Sequence, residues 1–136
     1  MSTVVYLDTS AVLRAVLERG VSPEVERRLA DARFLITSRL SLVETARAFT
    51  RLRLDGVAES VLADAAREVD SLWARCTIWE LTSKVCDLAA HVAPQMSLRT
   101  LDALHLATYL LARRSVGDQI DLLTTDDRLE QAARSS

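Results

Sequence analysis

Lysine is nearly absent, cysteine is rare and long apolar runs are missing, and each shortage removes a class of protein. Only Lys84 among the 17 basic residues is lysine, and 19 acidic residues bring the formal net charge to −2. That balance argues against a histone-like or broadly basic nucleic-acid binder. It leaves room for a local basic patch, for which guanidinium suits phosphate. Cys76 and Cys86 fit no metal-ligand spacing and are expected to be free, half-buried thiols in a reducing compartment. The longest apolar stretches are far too short to span a bilayer. Residues 1–8 lack the basic start and apolar run of a signal peptide, so a cytoplasmic protein is expected. No repeat, low-complexity tract or linker divides the chain.

What is present suits a globular protein. The 136 residues are 49% hydrophobic and 26% charged, which predicts one domain over residues 1–136 around one core. VVYLD at 4–8 reads as a buried strand ending in an acid, and RFLITS (33–38), CTIWEL (76–81) and IDLLTT (120–125) as three more. Helices are predicted over 10–19, 23–31, 41–54, 58–75, 83–92, 100–114 and 127–133, with Gly20 and Pro94 as stops and Pro23 as a start. In 41–54, Leu42, Ala46 and Phe49 are placed on one face and Glu44, Arg47 and Arg51 on the other. Short buried strands alternating with helices predict an α/β fold with a parallel sheet covered on both faces. Sites in such sheets form beyond the carboxyl ends of the strands, where Asp8 and Asp126 fall.

RTLDALHLAT, at 99–108, sets an acid among leucines, where an unpaired charge is costly. Each acid of interest has a bland reading as a helix cap. With Thr100 as N-cap, Asp102 lies in the first turn facing free amides. SLVE at 41–44 matches a capping box between Ser41 and Glu44. Asp8 and Asp126 each precede a predicted helix. Taken together, however, two acids end strands at one sheet edge and two start helices entering that edge. Four carboxylates converging there repel one another unless something positive lies between them, and hard oxygen donors suit Mg²⁺ or Mn²⁺.

YLDTSAVLR, SLVETARAF, LRTLDALHLAT and LLTTDDRL resemble, in order, the four acidic motifs of PIN-domain nucleases, and are most similar to those of VapC-type toxins of bacterial toxin–antitoxin pairs. The resemblance implies a three-layer domain with a parallel sheet of four or five strands, since such proteins usually continue into a short fifth strand and this chain stops at AARSS. It assigns the metal-binding acids to Asp8, Glu44, Asp102 and Asp126, with Ser10 and Thr124 as the accompanying hydroxyls. It also implies a Mg²⁺-dependent endoribonuclease in which one or two ions activate water for attack on an RNA phosphodiester, with no nucleophilic side chain. A homodimer blocked by a cognate antitoxin follows from the same likeness. Its interface is expected on the helices after the second strand, with Leu52, Leu54 and Trp73 as candidates.

The remaining polar residues carry double readings. His105 shares the face of Asp102 and can tune it or meet phosphate, against a plain packing role. Arg47 and Arg51 suit RNA phosphates, against a solvated face in which Arg47 pairs with Glu44 three residues away. Trp73 and Trp79 read as packing residues before base-stacking ones, and His91 as a surface residue. A phosphoacceptor domain is disfavoured, since Thr9 follows Asp8 and the only lysine is Lys84. The serious alternative is a catalytically silent PIN-fold module that docks a protein or RNA, against which the presence of all four acids argues.

Overall fold

Val4–Leu7 is apolar at every position, and a strand without a polar face needs cover on both sides. The computed structural model, which describes residues 3–117 and 119–136, shows that cover. The elements run β1 (Val4–Leu7), α1 (Thr9–Leu17), α2 (Pro23–Asp31), β2 (Phe34–Ser38), α3 (Arg39–Leu54) and α4 (Glu59–Arg75). They continue with β3 (Cys76–Trp79), α5 (Ser83–Ala89), α6 (Thr100–Val116), β4 (Ile120–Leu123) and α7 (Asp127–Arg134). All strand pairs are parallel, in the order β3-β2-β1-β4. Among the described residues the sheet therefore has four strands rather than five.

Register sorts the side chains onto two faces. Val5 pairs with Leu35, and Leu7 with Leu123; this face meets Ala11, Val12 and Ala15 of α1, Leu29 of α2, and Val69 and Leu72 of α4. Tyr6 pairs with Ile36 and Leu122 on the opposite face, against Leu106, Tyr109 and Leu110 of α6 and Leu129 of α7. Val85 of α5 closes that layer against Ala107 and Leu111. Three layers result. Val5, Tyr6 and Leu7 are at most 2% exposed, and burying such side chains contributes roughly 1.5–3 kcal/mol each. β1 is the anchor of the sheet.

The chain leaves β1 for β2 and β3, then returns to the other flank of β1 for β4. The carboxyl ends beside β1 thus form the crevice in which open parallel sheets bind ligands. Asp8 follows β1 there, and Thr124 to Asp126 follow β4.

Several local expectations are corrected. The third helix begins at Arg39, not Ser41: Ser38 is its N-cap and accepts from the Leu40 amide at 3.0 Å. Ser41 instead accepts the Thr37 hydroxyl at 2.7 Å, so no capping box forms with Glu44. The earlier start turns Leu40, Ser41, Thr45 and Ala48 inward and leaves Ala46 exposed, so Glu44 borders the buried stripe. The N-cap of α6 is Arg99, whose backbone is extended, and Thr100 is the first helical residue. α5 ends at Ala89, short of the predicted Val92. Trp73 and Trp79 pack against the cores, as expected for packing residues.

Both cysteines are free, but only Cys76 is half-buried; Cys86 is exposed, one residue beyond the buried Val85 of α5. Burial pushes the Cys76 thiol up to about 12, with Arg75 pulling weakly the other way. Since the thiolate is the reactive form, a water-soluble aromatic disulfide at pH 8 is expected to titrate one thiol, Cys86, rapidly and the second only after unfolding. Two rapid equivalents would contradict this placement.

Candidate active site

Asp8 ends β1 and caps α1 in one geometry. Its Oδ1 accepts from the Ala11 amide at 3.0 Å and from Ser10 Oγ at 2.7 Å, while Oδ2 accepts from Thr124 Oγ1 at 2.6 Å. The cap and the crevice are the same carboxylate. Ser10 also accepts from the Thr125 amide and Thr124 from the Asp126 amide, which ties the end of β4 to the start of α1. Only 4% of Asp8 is exposed. Burial pushes its carboxyl above the ordinary carboxylate range, against the lowering by Thr124, Ser10, His105 and the Ala11 amide.

Asp126 likewise caps, its Oδ1 accepting from the Arg128 and Leu129 amides at 2.9 and 3.2 Å. Its Oδ2 accepts no hydrogen bond among the described residues. Asp102, third in α6, makes no side-chain cap at all. Burial raises its carboxyl, and the charges of Asp126 and, less, Asp8 raise it further; His105 and Arg99 pull it down. Asp102 therefore lies within electrostatic reach of Asp126 and Asp8.

Glu44 enters from α3. Its Oε1 accepts from Thr9 Oγ1 at 2.6 Å and from His105 Nε2 at 2.7 Å. Burial pushes its carboxyl up, but these two hydrogen bonds and the charge of Arg51 outweigh it and hold it below the ordinary range. His105 is buried and its Nδ1 lies 2.9 Å from Tyr6 Oη. Nε2 faces a carboxylate, which only accepts, so this nitrogen carries a proton and donates it, while Nδ1 faces the Tyr6 hydroxyl. His105 is thus a satisfied core histidine whose partner is Glu44 rather than Asp102. Arg47 and Arg51 lie exposed on α3, and the expected pairing of Arg47 with Glu44 does not form among the described residues. Tyr6, Thr9 and Arg99 complete the surroundings. Tyr6 and Thr9 were not legible beforehand, because each acts through a partner from a distant segment, whereas Arg99 acts on Asp102 three residues along the chain.

Acidic side chains from four separate segments thus lie toward the switch-point end of a parallel sheet, where folds of this kind bind ligands. The chain belongs to the PIN domain family, whose model matches residues 5–135. Its relatives narrow this to a VapC-type ribonuclease. VapC46 of Mycobacterium tuberculosis is 34% identical over 131 residues, 96% of this chain and 91% of VapC46. VapC35 of the same species is 34% identical over 133 residues, covering 96% and 90%. Crystal structures share the fold. PAE2754 from Pyrobaculum aerophilum superposes with a TM-score of 0.69 at 17% identity, covering 97% of this chain and 81% of that one. VapC20 of M. tuberculosis, a toxin cleaving the sarcin-ricin loop, gives 0.63 at 19%, covering 94% of each. VapBC2 from Rickettsia felis, bound to a promoter DNA fragment, gives 0.60 at 12%, covering 90% and 99%.

Proposed function

We propose that Asp8, Glu44, Asp102 and Asp126 hold Mg²⁺, or Mn²⁺ in its place, and that this ribonuclease is the toxin of a toxin–antitoxin pair, hydrolysing RNA phosphodiester bonds. The observation that carries the reading is Asp102: a half-buried carboxylate without a hydrogen bond among the described residues, raised first by burial and then by the charge of Asp126 and, less, that of Asp8, against the pull of His105 and Arg99. As the side chains stand, no three His, Cys, Asp or Glu groups among the described residues are close enough to ligate one ion. The donor chemistry nonetheless fits: every donor is a hard oxygen, and the repulsion around Asp102 is what a cation relieves.

When bound, a divalent cation at such a site supplies Lewis acidity for activating water and neutralising phosphate. The chain's own residues do the rest. Ser10, Thr124 and the Ala11 amide hold Asp8 in one orientation, and the capping amides of α7 do so for Asp126 through a single oxygen. Arg47 and Arg51, exposed on the helix that carries Glu44, are placed to take RNA phosphates as bidentate donors. No side chain is needed as nucleophile.

A cognate antitoxin, a homodimer and a cytoplasmic location belong to the same proposal, as does the extent of one domain over residues 1–136. The VapBC2 complex supports a partnered toxin. Leu54, 82% exposed at the end of α3, supports a hydrophobic contact there; Trp73, packed against the core, is the weaker candidate. No helix among the described residues is long and apolar enough to cross a membrane.

The test is the chemistry of the cut ends. RNA incubated with the protein and Mg²⁺ is expected to yield 5′-phosphate and 3′-hydroxyl ends, and none when EDTA replaces the metal. Cleavage surviving EDTA, or 2′,3′-cyclic phosphate products, would overturn water attack supported by a metal. No cleavage under any condition would return the chain to a docking module.

A further inference from the structure

We propose that His105 is a positioning residue for Glu44: clamped by Tyr6, it pins one carboxylate oxygen and leaves the other free for a cation. The proposal rests on the reading of Glu44 as a metal ligand. Four elements meet at this point: α3 through Glu44, α6 through His105, α1 through Thr9 and β1 through Tyr6. Both hydrogen bonds to Glu44, from His105 Nε2 at 2.7 Å and Thr9 Oγ1 at 2.6 Å, land on Oε1. Oε2 accepts none among the described residues.

The clamp itself is rigid. The His105 side chain is 3% exposed against 24% for Glu44. Its Nδ1 lies 2.9 Å from the hydroxyl of the fully buried Tyr6, and the two rings meet edge to face at 6.2 Å. Burial holds the Tyr6 phenol well above its ordinary range, so it remains a donor. A buried imidazole needs a partner at both ring nitrogens; here the second partner is a carboxylate from another helix, so the bond that satisfies the ring also fixes Glu44 Oε1. The consequence is preorganisation. A glutamate free at three rotors loses that freedom whenever it binds an ion, whereas one fixed in advance does not. Partners that orient a metal ligand in this way typically change metal affinity or activity by about 10- to 100-fold.

Mn²⁺ affinity measured by calorimetric titration, beside RNA cleavage and thermal melting, tests this. His105→Leu is expected to fold and to bind Mn²⁺ about 10- to 100-fold more weakly. His105→Gln, whose amide nitrogen reaches the position of Nε2, should restore most of the loss, and Tyr6→Phe should show a smaller loss in the same direction. Parent affinity in folded His105→Leu, or a His105→Gln as weak as His105→Leu, overturns the positioning role. If His105→Leu fails to fold, Tyr6→Phe decides, and parent affinity there overturns it equally. Asp8→Asn separates the two failures. If it abolishes Mn²⁺ binding while His105→Leu does not weaken it, only the positioning role falls. If Asp8→Asn also binds as the parent does, the metal reading falls and the positioning role falls with it.

Discussion

Asp102→Asn is expected to lower RNA cleavage by more than about 100-fold while leaving the metal-free protein at least as stable as the parent. Second-sphere partners of a metal commonly cost about 10- to 100-fold, and a direct ligand costs more. The stability half follows from the crevice. Asp102 accepts no capping hydrogen bond, and its carboxyl is raised by burial and by the charges of Asp126 and Asp8. An acid with a folded pKa above its unfolded one is destabilising when ionised, because the unfolded chain releases the proton more readily. At neutral pH the uncharged amide removes that cost. A helix cap predicts the reverse pair: Asn caps about as well as Asp, the dipole contribution is below about 1 kcal/mol, and cleavage is unaffected. Cleavage near the parent rate with Mg²⁺ present would remove Asp102 from the mechanism.

Saturating Mg²⁺ or Mn²⁺ is expected to raise the melting temperature of the parent, and Asp8→Asn to abolish most of the gain. A ligand that binds only the folded form, at 100 times its Kd, adds about 2.7 kcal/mol. For a chain of this size that corresponds to roughly 8 °C, at about 3 °C per kcal/mol. Without metal, Asp8→Asn has two opposing consequences. The amide no longer bears a charge that burial disfavours. Its oxygen can still accept from the Ala11 amide and Ser10, but its NH₂ takes the place of Oδ2 and faces the Thr124 hydroxyl, which now donates to the carboxylate. That hydroxyl can rotate, so the apo melting temperature should move little. Asp8→Ala, which also removes the cap, should lose about 1–2 kcal/mol. A melting temperature indifferent to millimolar metal in the parent would count against the four acids sharing an ion.

The elements that were legible beforehand are those encoded by neighbours in the chain. Val4–Leu7 is an apolar run bounded by polar residues, and Ile120–Leu123 is apolar at all positions but Asp121. Gly117 was not singled out: it closes α6 at a positive φ of 81° after Val116, itself two residues beyond the expected end at Arg114. Asp8 and Asp126 were legible twice, since the cap and the crevice ask for the same residue at the same place. The start of α3 was misread because Ser38 and Ser41 both suit an N-cap by type, and the choice fell to Thr37, whose buried hydroxyl claims Ser41.

By itself, then, the sequence determined the strand and helix order and placed Asp8 and Asp126 as helix caps at the carboxyl edge of the sheet, because each follows from periodicity and capping over a few residues. Only the tertiary structure decided which polar groups meet. Thr124 reaches Asp8 across 116 residues, His105 reaches Glu44 across 61, and Thr9 reaches Glu44 across 35. No local pattern encodes such contacts. They arise when packing on both faces of β1 brings α1, α3 and α6 to one end of the sheet, where a buried donor must find an acceptor or bear the cost of having none.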